Sequence, residues 1–215
     1  MLGSLIDRAA RICRLECHDA FVEDMAVTSV RAGGLREDPR PLRGEPLPLD
    51  LLNTTWVEGG SERDLLETVA GTAIWLDSAV LDDRWRPDRV DETHRRCLYA
   101  ARGVLRALAE HPHDWGARRD FNGLLSRGHR GLLLDTHGPA TQVVVDEPHW
   151  VVPWLAGETY LDLLDRVPDR IRQCQHPQCV LWYLDTSPSA TRRWCSMTVC
   201  GNRAKAQRHY HRKSI

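Results

Sequence analysis

Residues 174–200 read CQHPQCVLWYLDTSPSATRRWCSMTVC and contain four of the seven cysteines of this 215-residue chain. The cysteines form two pairs, Cys174 with Cys179 and Cys195 with Cys200, and four residues separate the members of each pair. A tetrahedral zinc site needs four soft donors, which two short chelating arms joined by a structured loop can supply. The pattern therefore predicts one structural Zn2+ held by these four thiolates.

The residues around the cysteines favour the same interpretation. Pro177 lies inside the first pair, where a turn would bring both sulfurs to one side. With Ser196 as the cap of the final helix, Cys195 precedes the cap and Cys200 is the fourth helical residue, so their side chains would be neighbours. Two disulfides are the weaker alternative in a reducing compartment. His176 could replace one thiolate, although a role in the turn explains it better.

Charge divides the chain into two segments. From residue 170 to the end there are nine Lys or Arg and one acid, a net charge of +8. The rest of the chain then carries 20 basic and 29 acidic residues, a net charge of −9. A compact segment with a charge of +8 favours a polyanionic partner.

The final helix would present most of these cations on one face. On a helical wheel the basic side comprises Lys205, Arg208, His209, Arg212 and Lys213. The residues expected to contact nucleic-acid phosphates are Arg192, Arg193, Lys205, Arg208, Arg212 and Lys213. Arg203 falls on the opposite side and is expected to donate to carbonyls or to a carboxylate near the metal, such as Asp185. Gly201 costs a helix about 1 kcal/mol relative to Ala, which predicts a close neighbour at its backbone.

The remainder of the chain is predicted to be mainly α-helical, in an α+β fold. Residues 2–25 show weak amphipathic spacing, and residues 31–50 are rich in Gly and Pro, which is typical of a linker. The main domain opens at Leu47. Ser61 is expected to cap a helix that carries Leu65, Leu66 and Val69, with a second short helix over residues 74–81.

Further elements follow from periodicity and turn residues. Residues 88–111 form the clearest helix, residues 120–127 a shorter one, and residues 154–167 a helix that Pro168 ends. Residues 131–138 and 141–148 are β-rich and predict a hairpin. The cluster of Asp50, Asn53 and Thr54 suggests a ligand pocket, but helix capping is the simpler explanation.

Catalysis and membrane insertion are not expected. Imidazoles lie near carboxylates at three places in the sequence, which are His94 with Glu92, His111 and His113 with Asp114, and Asp135 with His137. None has the spacing of a metalloprotease, phosphate loop or nucleophile elbow, and a zinc site with four cysteine ligands is closed to a catalytic water. No run of about 20 apolar residues and no secretion signal is present, so a cytoplasmic location is expected.

Two stretches resemble known domains. Residues 174–212 are similar to the bacterial CGNR-type zinc finger, since both cysteine pairs, "LDTS", "RRWCSM" and "CGNRAK" are in place. The tetrad that gives the finger its name stands at Cys200, Gly201, Asn202 and Arg203. "LPLDLLNTTW" at residues 47–56, with "DLL" and "WL" after it, resembles the ABATE domain that accompanies this finger.

The resemblance implies an organisation and a function. It implies an extension and linker at residues 1–46, an ABATE-like α+β domain at 47–168, and at 169–215 a finger built of a β-hairpin and a basic helix. Cys174, Cys179, Cys195 and Cys200 become the zinc ligands, and the other tetrad residues support the metal. Such proteins are regarded as stress-induced transcription regulators that bind zinc and DNA.

Taken together, the residues and the resemblance predict a zinc-containing, DNA-binding transcription regulator. The basic helix would contact phosphates, while the N-terminal domain would sense a ligand or mediate association, for example as a homodimer. Two alternatives stay open at this stage. The same basic face could bind RNA or the ribosome, or it could dock an acidic protein such as a polymerase.

Overall fold

The computed structural model describes residues 30–31 and 37–206. The helices are α1 (Leu47–Leu52), α2 (Val69–Ser78), α3 (Glu92–Glu110), α4 (Trp115–Leu125) and α5 (Val151–Arg166). The strands are β1 (Val30–Arg31), β2 (Thr55–Glu58), β3 (Ser61–Asp64), β4 (Arg89–Val90), β5 (Gly128–Asp135), β6 (Gly138–Val145), β7 (Ile171–Gln173) and β8 (Trp182–Leu184). Within these described ranges, no helix is both long and apolar enough to cross a membrane.

The strands pair two by two, and helices supply most of the core. β1 pairs with β4, β2 with β3, β5 with β6 and β7 with β8, all antiparallel. The fold is therefore α+β and mainly α, as predicted from the sequence.

Helix α1 lies at the centre of the domain. All six of its residues, LPLDLL, are buried, and Leu49, Leu51 and Leu52 have no exposed surface. The helix packs against α3 and α5, and it also contacts β8 near the C-terminus. A short helix that is buried on every side depends on its neighbours, because six residues are too few to be stable alone.

Helix α3 matches the clearest sequence prediction. Its apolar stripe is buried through Leu98, Ala101 and Leu105, and it ends at Glu110, with His111 as its C-cap just before Pro112. Asp91 caps its first turn by accepting hydrogen bonds from backbone N–H groups. The predicted hairpin is also present, since β5 and β6 pair along eight residues each. The helices predicted over residues 120–127 and 154–167 correspond to α4 and α5.

The expected helix after Ser61 is wrong. Ser61–Asp64 is instead strand β3, paired with β2 across a two-residue turn at Gly59 and Gly60. Both glycines have positive φ values, 59° and 84°, which a tight hairpin turn needs and which glycine adopts without strain. The helix starts later, at Val69, where the Thr68 side chain accepts from Gly71 N at 3.0 Å.

The linker assignment also needs correction, from residue 38 onward. Asp38 and Arg40 are buried, and Arg40 Nη1 lies 3.0 Å from Asp50 Oδ2 while Nη2 lies 2.7 Å from Asp38 Oδ2. Trp75 Nε1 also donates to Asp50, at 3.0 Å. A buried charge must be paired to be tolerated, so this segment is part of the domain. The amphipathic spacing at residues 2–25 falls outside the described residues.

Candidate metal centre and basic surface

The first cysteine arm is a tight turn that follows β7. Cys174 N donates to Leu181 O and Cys179 N donates to His176 O, both at 2.9 Å. His176 Nδ1 accepts from Gln178 N at 3.2 Å, so its ring belongs to the turn. The turn expected from Pro177 is therefore formed, and it places Cys174 and Cys179 on one side.

The second arm lies where the last helix begins. Ser196 Oγ accepts from Val199 N at 3.3 Å, which is the predicted capping contact. Met197–Gly201 forms a π-helical turn, closed by Gly201 N donating to Ser196 O at 2.9 Å, and residues 202–206 continue as an α-helix. We call residues 197–206 the finger helix. The arrangement sets the sulfurs of Cys195 and Cys200 3.6 Å apart.

The two arms bring four sulfurs together. Those of Cys179 and Cys195 are 3.7 Å apart, and all four lie within 4.8 Å of one another. Zn–S bonds of about 2.3 Å in tetrahedral geometry separate the sulfurs by about 3.8 Å. Three of the cysteines are buried and Cys179 is half-buried. The cluster thus has the donor set and the size of a closed zinc site.

The four thiols of the cluster influence one another's ionisation. Hydrogen bonds from the Cys179 and Cys195 thiols lower the pKa of Cys174 to about 2, and the contact with Cys174 raises the pKa of Cys179 to about 12. The same neighbour raises the pKa of Cys195, and burial raises the pKa of Cys200. Close packing therefore disfavours several thiolates together, and a bound divalent ion would offset their mutual repulsion.

The loop between the two arms holds them in place. Asp185, fully buried, accepts from Ser187 Oγ at 2.6 Å and from Arg192 N at 3.0 Å. Arg192 Nε donates to Trp194 O at 2.9 Å, and Arg192 also donates to Cys195 O. Its guanidinium lies 4.2 Å from the centre of the Tyr183 ring. Arg192 therefore braces the second arm, and the phosphate contact expected for it stays a prediction.

Two family models match the chain in sequence. The model for ABATE, described as "Putative stress-induced transcription regulator", matches residues 45–166. The chain belongs to the ABATE family. The model for the CGNR zinc finger matches residues 170–213, which include all four clustered cysteines. The cysteines thus form the finger's site for one structural Zn2+. No curated protein matches the chain.

Close packing explains the glycine of the CGNR tetrad, Gly201. A Cβ atom there would lie 2.9 Å from Met197 Sδ and 3.4 Å from Trp194 Cδ1. The close neighbour predicted for this glycine is therefore a pair of side chains. Asn202 Nδ2 donates to Thr198 O at 3.1 Å, one turn back in the finger helix.

Arg203 does not take the position expected for it. Asp185, its suggested partner, is occupied by the loop between the arms, and Arg172 Nε lies 3.8 Å from it. The Arg203 side chain is exposed and makes no hydrogen bond or ion pair to the part of the chain that the structure describes. It borders a cleft of about 140 Å³ between the finger and the ABATE domain, where Trp56 and Cys179 also lie. The interpretation of Arg203 as a support for the metal through Asp185 is wrong.

The remaining basic residues fall into two groups. Arg193 and Lys205 are exposed on the finger, and Arg193 Nε donates to Gln175 Oε1 at 2.7 Å. The other expected phosphate contacts lie outside the described residues; these are Arg208, Arg212 and Lys213. Trp182, on β8, is buried.

The ABATE domain and the CGNR finger are joined by a clamp at Asn53. Its Nδ2 donates to Trp182 O and its Oδ1 accepts from Trp182 N, both at 2.8 Å. Glu45 Oε2 accepts from Leu184 N at 2.8 Å, which extends the same junction. None of the Asp50, Asn53 and Thr54 side chains caps the start of a helix. Asp50 pairs with Arg40, and Asn53 holds Trp182. Thr54 Oγ1 accepts from Arg102 and donates to Leu51 O, both at 2.7 Å. Sequence spacing gave no signal for this clamp, since its partners are 129 residues apart.

The connection between the two domains is short and is itself hydrogen-bonded. One 3-10 turn, Pro168–Arg170, separates α5 from β7. Arg170 Nη1 donates to Asp185 O at 2.9 Å and to Ser187 O at 2.8 Å, and Asp185 N donates to Arg170 O at 2.8 Å. The connector therefore belongs to the finger's hydrogen-bonded framework.

The three imidazole and carboxylate pairs noted in the sequence lie in three different parts of the fold. Asp114 caps α4 by accepting from Ala117 N at 2.8 Å, and Asp135 accepts from His137 N at 2.7 Å within the hairpin turn. His94 contacts Asp91, together with His149 from the turn before α5. Sequence reasoning missed this last group, because His149 is remote in the chain from the other two residues.

Proposed function

We propose that the protein is a zinc-dependent, DNA-binding transcription regulator in which the CGNR finger contacts the phosphate backbone. The observation that carries the proposal is the charge of +8 on residues 170–215, concentrated in a finger that a buried metal cluster holds in shape. Exposed Arg193, Arg203 and Lys205 are available to phosphates on the described part of the finger. Contacts of this kind give affinity that depends strongly on salt.

The acidic ABATE domain would supply regulation. A surface groove of about 570 Å³ on this domain, lined by Asp64, Arg95 and Tyr99 among others, offers room for a small charged effector. The β5–β6 hairpin exposes Leu132 and Leu134, which are 87% and 80% accessible, and this supports a role in association such as homodimerisation. Both features fit a domain that controls the finger.

The zinc site is proposed to have no catalytic role. Four cysteine ligands leave no coordination position for water or substrate. Three of the four thiols are buried, and the fourth is half-buried. The protein is accordingly proposed to act by binding and not as an enzyme, in the cytoplasm.

Electrophoretic mobility shifts test the proposal directly. Purified protein is titrated against a random DNA duplex, a single strand and a structured RNA, with and without zinc, over a series of salt concentrations. We expect zinc-dependent retardation of the duplex that weakens steeply with salt. Preferred binding of RNA would favour an RNA or ribosome factor, and no binding at low salt would favour an acidic protein partner.

A matched pair of variants assigns the effect to the finger. Lys205, Arg208 and Arg212 changed together to Ala should reduce affinity by tenfold or more while zinc stays bound. The control changes Arg84, Arg119 and Arg166, whose side chains are 69%, 62% and 73% exposed on the ABATE domain. It removes the same three charges, so equal losses in both variants would contradict a specific role for the finger.

A further inference from the structure

A second cluster of metal-binding side chains lies on the ABATE domain. Asp91 precedes α3, His94 lies in its first turn, and His149 comes from the 3-10 turn before α5. His94 Nδ1 is 2.9 Å from Asp91 Oδ1, and His149 Nε2 is 3.6 Å from Asp91 Oδ2. One ring nitrogen from each histidine and one carboxylate oxygen all lie within 4.8 Å of one another.

The two shorter separations are close to those of ligands on a shared ion. Ligands bound at about 2.0–2.2 Å with bond angles near 90–110° lie roughly 3.0–3.5 Å from each other. The two imidazole rings meet edge to face, with centroids 4.4 Å apart and an interplanar angle of 65°. Because the ligands come from two separate elements, an ion would link the start of α3 to the turn that leads into α5.

The carboxylate is held in position by the helix. Asp91 Oδ1 accepts from Thr93 N at 2.9 Å and from His94 N at 3.0 Å. This leaves Oδ2, which faces His149, as the oxygen with fewer protein donors around it. A carboxylate oriented by backbone N–H groups is the kind of outer support that metal ligands use.

The surroundings lower the pKa of both Asp91 and His94. Burial would raise the pKa of Asp91, but hydrogen bonds from the His94 backbone and ring outweigh it and lower that pKa. Burial lowers the pKa of His94. Both shifts favour the deprotonated forms of the two side chains.

We propose that Asp91, His94 and His149 bind a divalent transition-metal ion at a second, exchangeable site. Two imidazoles and one carboxylate favour ions such as Zn2+, Co2+ or Ni2+ over Mg2+ or Ca2+. The three side chains are 29%, 16% and 29% exposed, so solvent can reach the ion and complete its coordination. This site differs from the cysteine cluster in its open access and its lack of thiolates. The inference does not depend on nucleic-acid binding.

Cobalt substitution distinguishes the two sites in the full chain. Thiolate-bound Co2+ gives a sulfur-to-metal charge-transfer band, whereas Co2+ bound to nitrogen and oxygen gives only weak d–d bands. We expect titration to fill the cysteine cluster first and then to add a component without charge transfer. Equilibrium dialysis against Zn2+, Co2+ or Ni2+ counts the ions bound per chain.

The variants His94→Gln and His149→Gln, singly and together, should each bind one ion fewer than the wild type. Gln at position 94 preserves the capping box of α3, since Gln is favoured at this position, and His149 takes no part in that cap. His137→Gln, in the exposed hairpin turn, is the control and should bind as many ions as the wild type. The difference between proteins is the readout, because other cysteines and histidines of the chain can also take up metal.

The outcomes separate cleanly. Loss of one equivalent in the site variants, with the charge-transfer band and helical circular dichroism unchanged, supports the site. Equal binding by the wild type and the double variant would overturn it and leave Asp91, His94 and His149 as a helix cap with an edge-to-face histidine pair.

Discussion

The ABATE domain and the CGNR finger hold their folds by different means. The ABATE domain buries whole apolar faces of its helices, with Leu49, Leu105 and Trp75 fully enclosed. The described part of the finger has two three-residue strands and the helix at residues 197–206, and the sequence of residues 170–215 has a strong excess of positive charge. It is held by four sulfurs, the loop around Asp185, and the clamp to the ABATE domain. Apolar burial can support a domain of this length, whereas a segment of about 45 residues needs a metal or a neighbour.

Removing zinc should have the largest effect on stability. It should destabilise the finger and leave the ABATE domain folded. Structural zinc contributes roughly 10–16 kcal/mol in zinc-finger peptides. After chelation, or in Cys200→Ala, we expect loss of hydrogen-exchange protection at β7 and β8, while α3 and α5 keep theirs. Cys97→Ala removes a buried cysteine from the ABATE domain and should leave zinc binding intact. Retained hydrogen-exchange protection at β7 and β8 without metal would show that zinc does not hold the finger in shape.

A cavity in the helical core tests the contribution of apolar burial to the stability of the ABATE domain. Leu105→Ala, at a position with no exposed surface, should cost about 2–5 kcal/mol because it removes buried methyl groups and leaves a void. Chemical denaturation followed by circular dichroism measures the loss, and the folded variant should still bind zinc. Leu161→Ala, on a side chain that is 49% exposed, should change stability by no more than about 0.5 kcal/mol. Equal losses in both variants would contradict the assignment of the core.

The clamp between the two regions should have an intermediate effect. Asn53→Ala leaves the N–H and C=O of Trp182 without their partners, which we expect to cost about 1–3 kcal/mol. Faster hydrogen exchange should appear first at Trp182, with zinc still bound. Asn122→Ala, an exposed position on α4, is the control. Unchanged exchange at Trp182 would show that the finger is independent of the ABATE domain.

Gly201→Ala should have the smallest effect. The new methyl group meets Met197 Sδ at 2.9 Å, but this atom is near the end of a flexible, 54% exposed side chain that can move. The helix gains up to about 1 kcal/mol from Ala, so we expect a net change within about 1 kcal/mol and full zinc binding. Thermal unfolding and the Co2+ spectrum measure both. Loss of metal in this variant would show that the glycine serves the site itself.

Local chemistry explains what could be predicted from the sequence. The cysteine spacing, the Ser196 cap and the stripe of α3 depend on residues close together in the chain, and all three are confirmed. The helix predicted after Ser61 is wrong because the Gly59–Gly60 turn strongly favours a hairpin, although the apolar spacing that follows it favours a helix.

Long-range contacts account for the rest. Arg40, placed in a linker because of the Gly and Pro around it, is buried because Asp38 and Asp50 pair with its guanidinium. The Asn53 clamp and the grouping of His149 with Asp91 likewise join distant parts of the chain. The spacing of apolar and polar residues along the chain does not indicate contacts between distant residues, so only the folded structure reveals them.

The short connector and the Asn53 clamp have a consequence for motion. Fingers on long tethers reorient independently, but here a single 3-10 turn, hydrogen-bonded at Arg170, separates α5 from β7. The two domains should therefore share one rotational correlation time in nuclear magnetic resonance relaxation. When the finger binds a partner, the ABATE domain should therefore lie beside that partner in a fixed orientation.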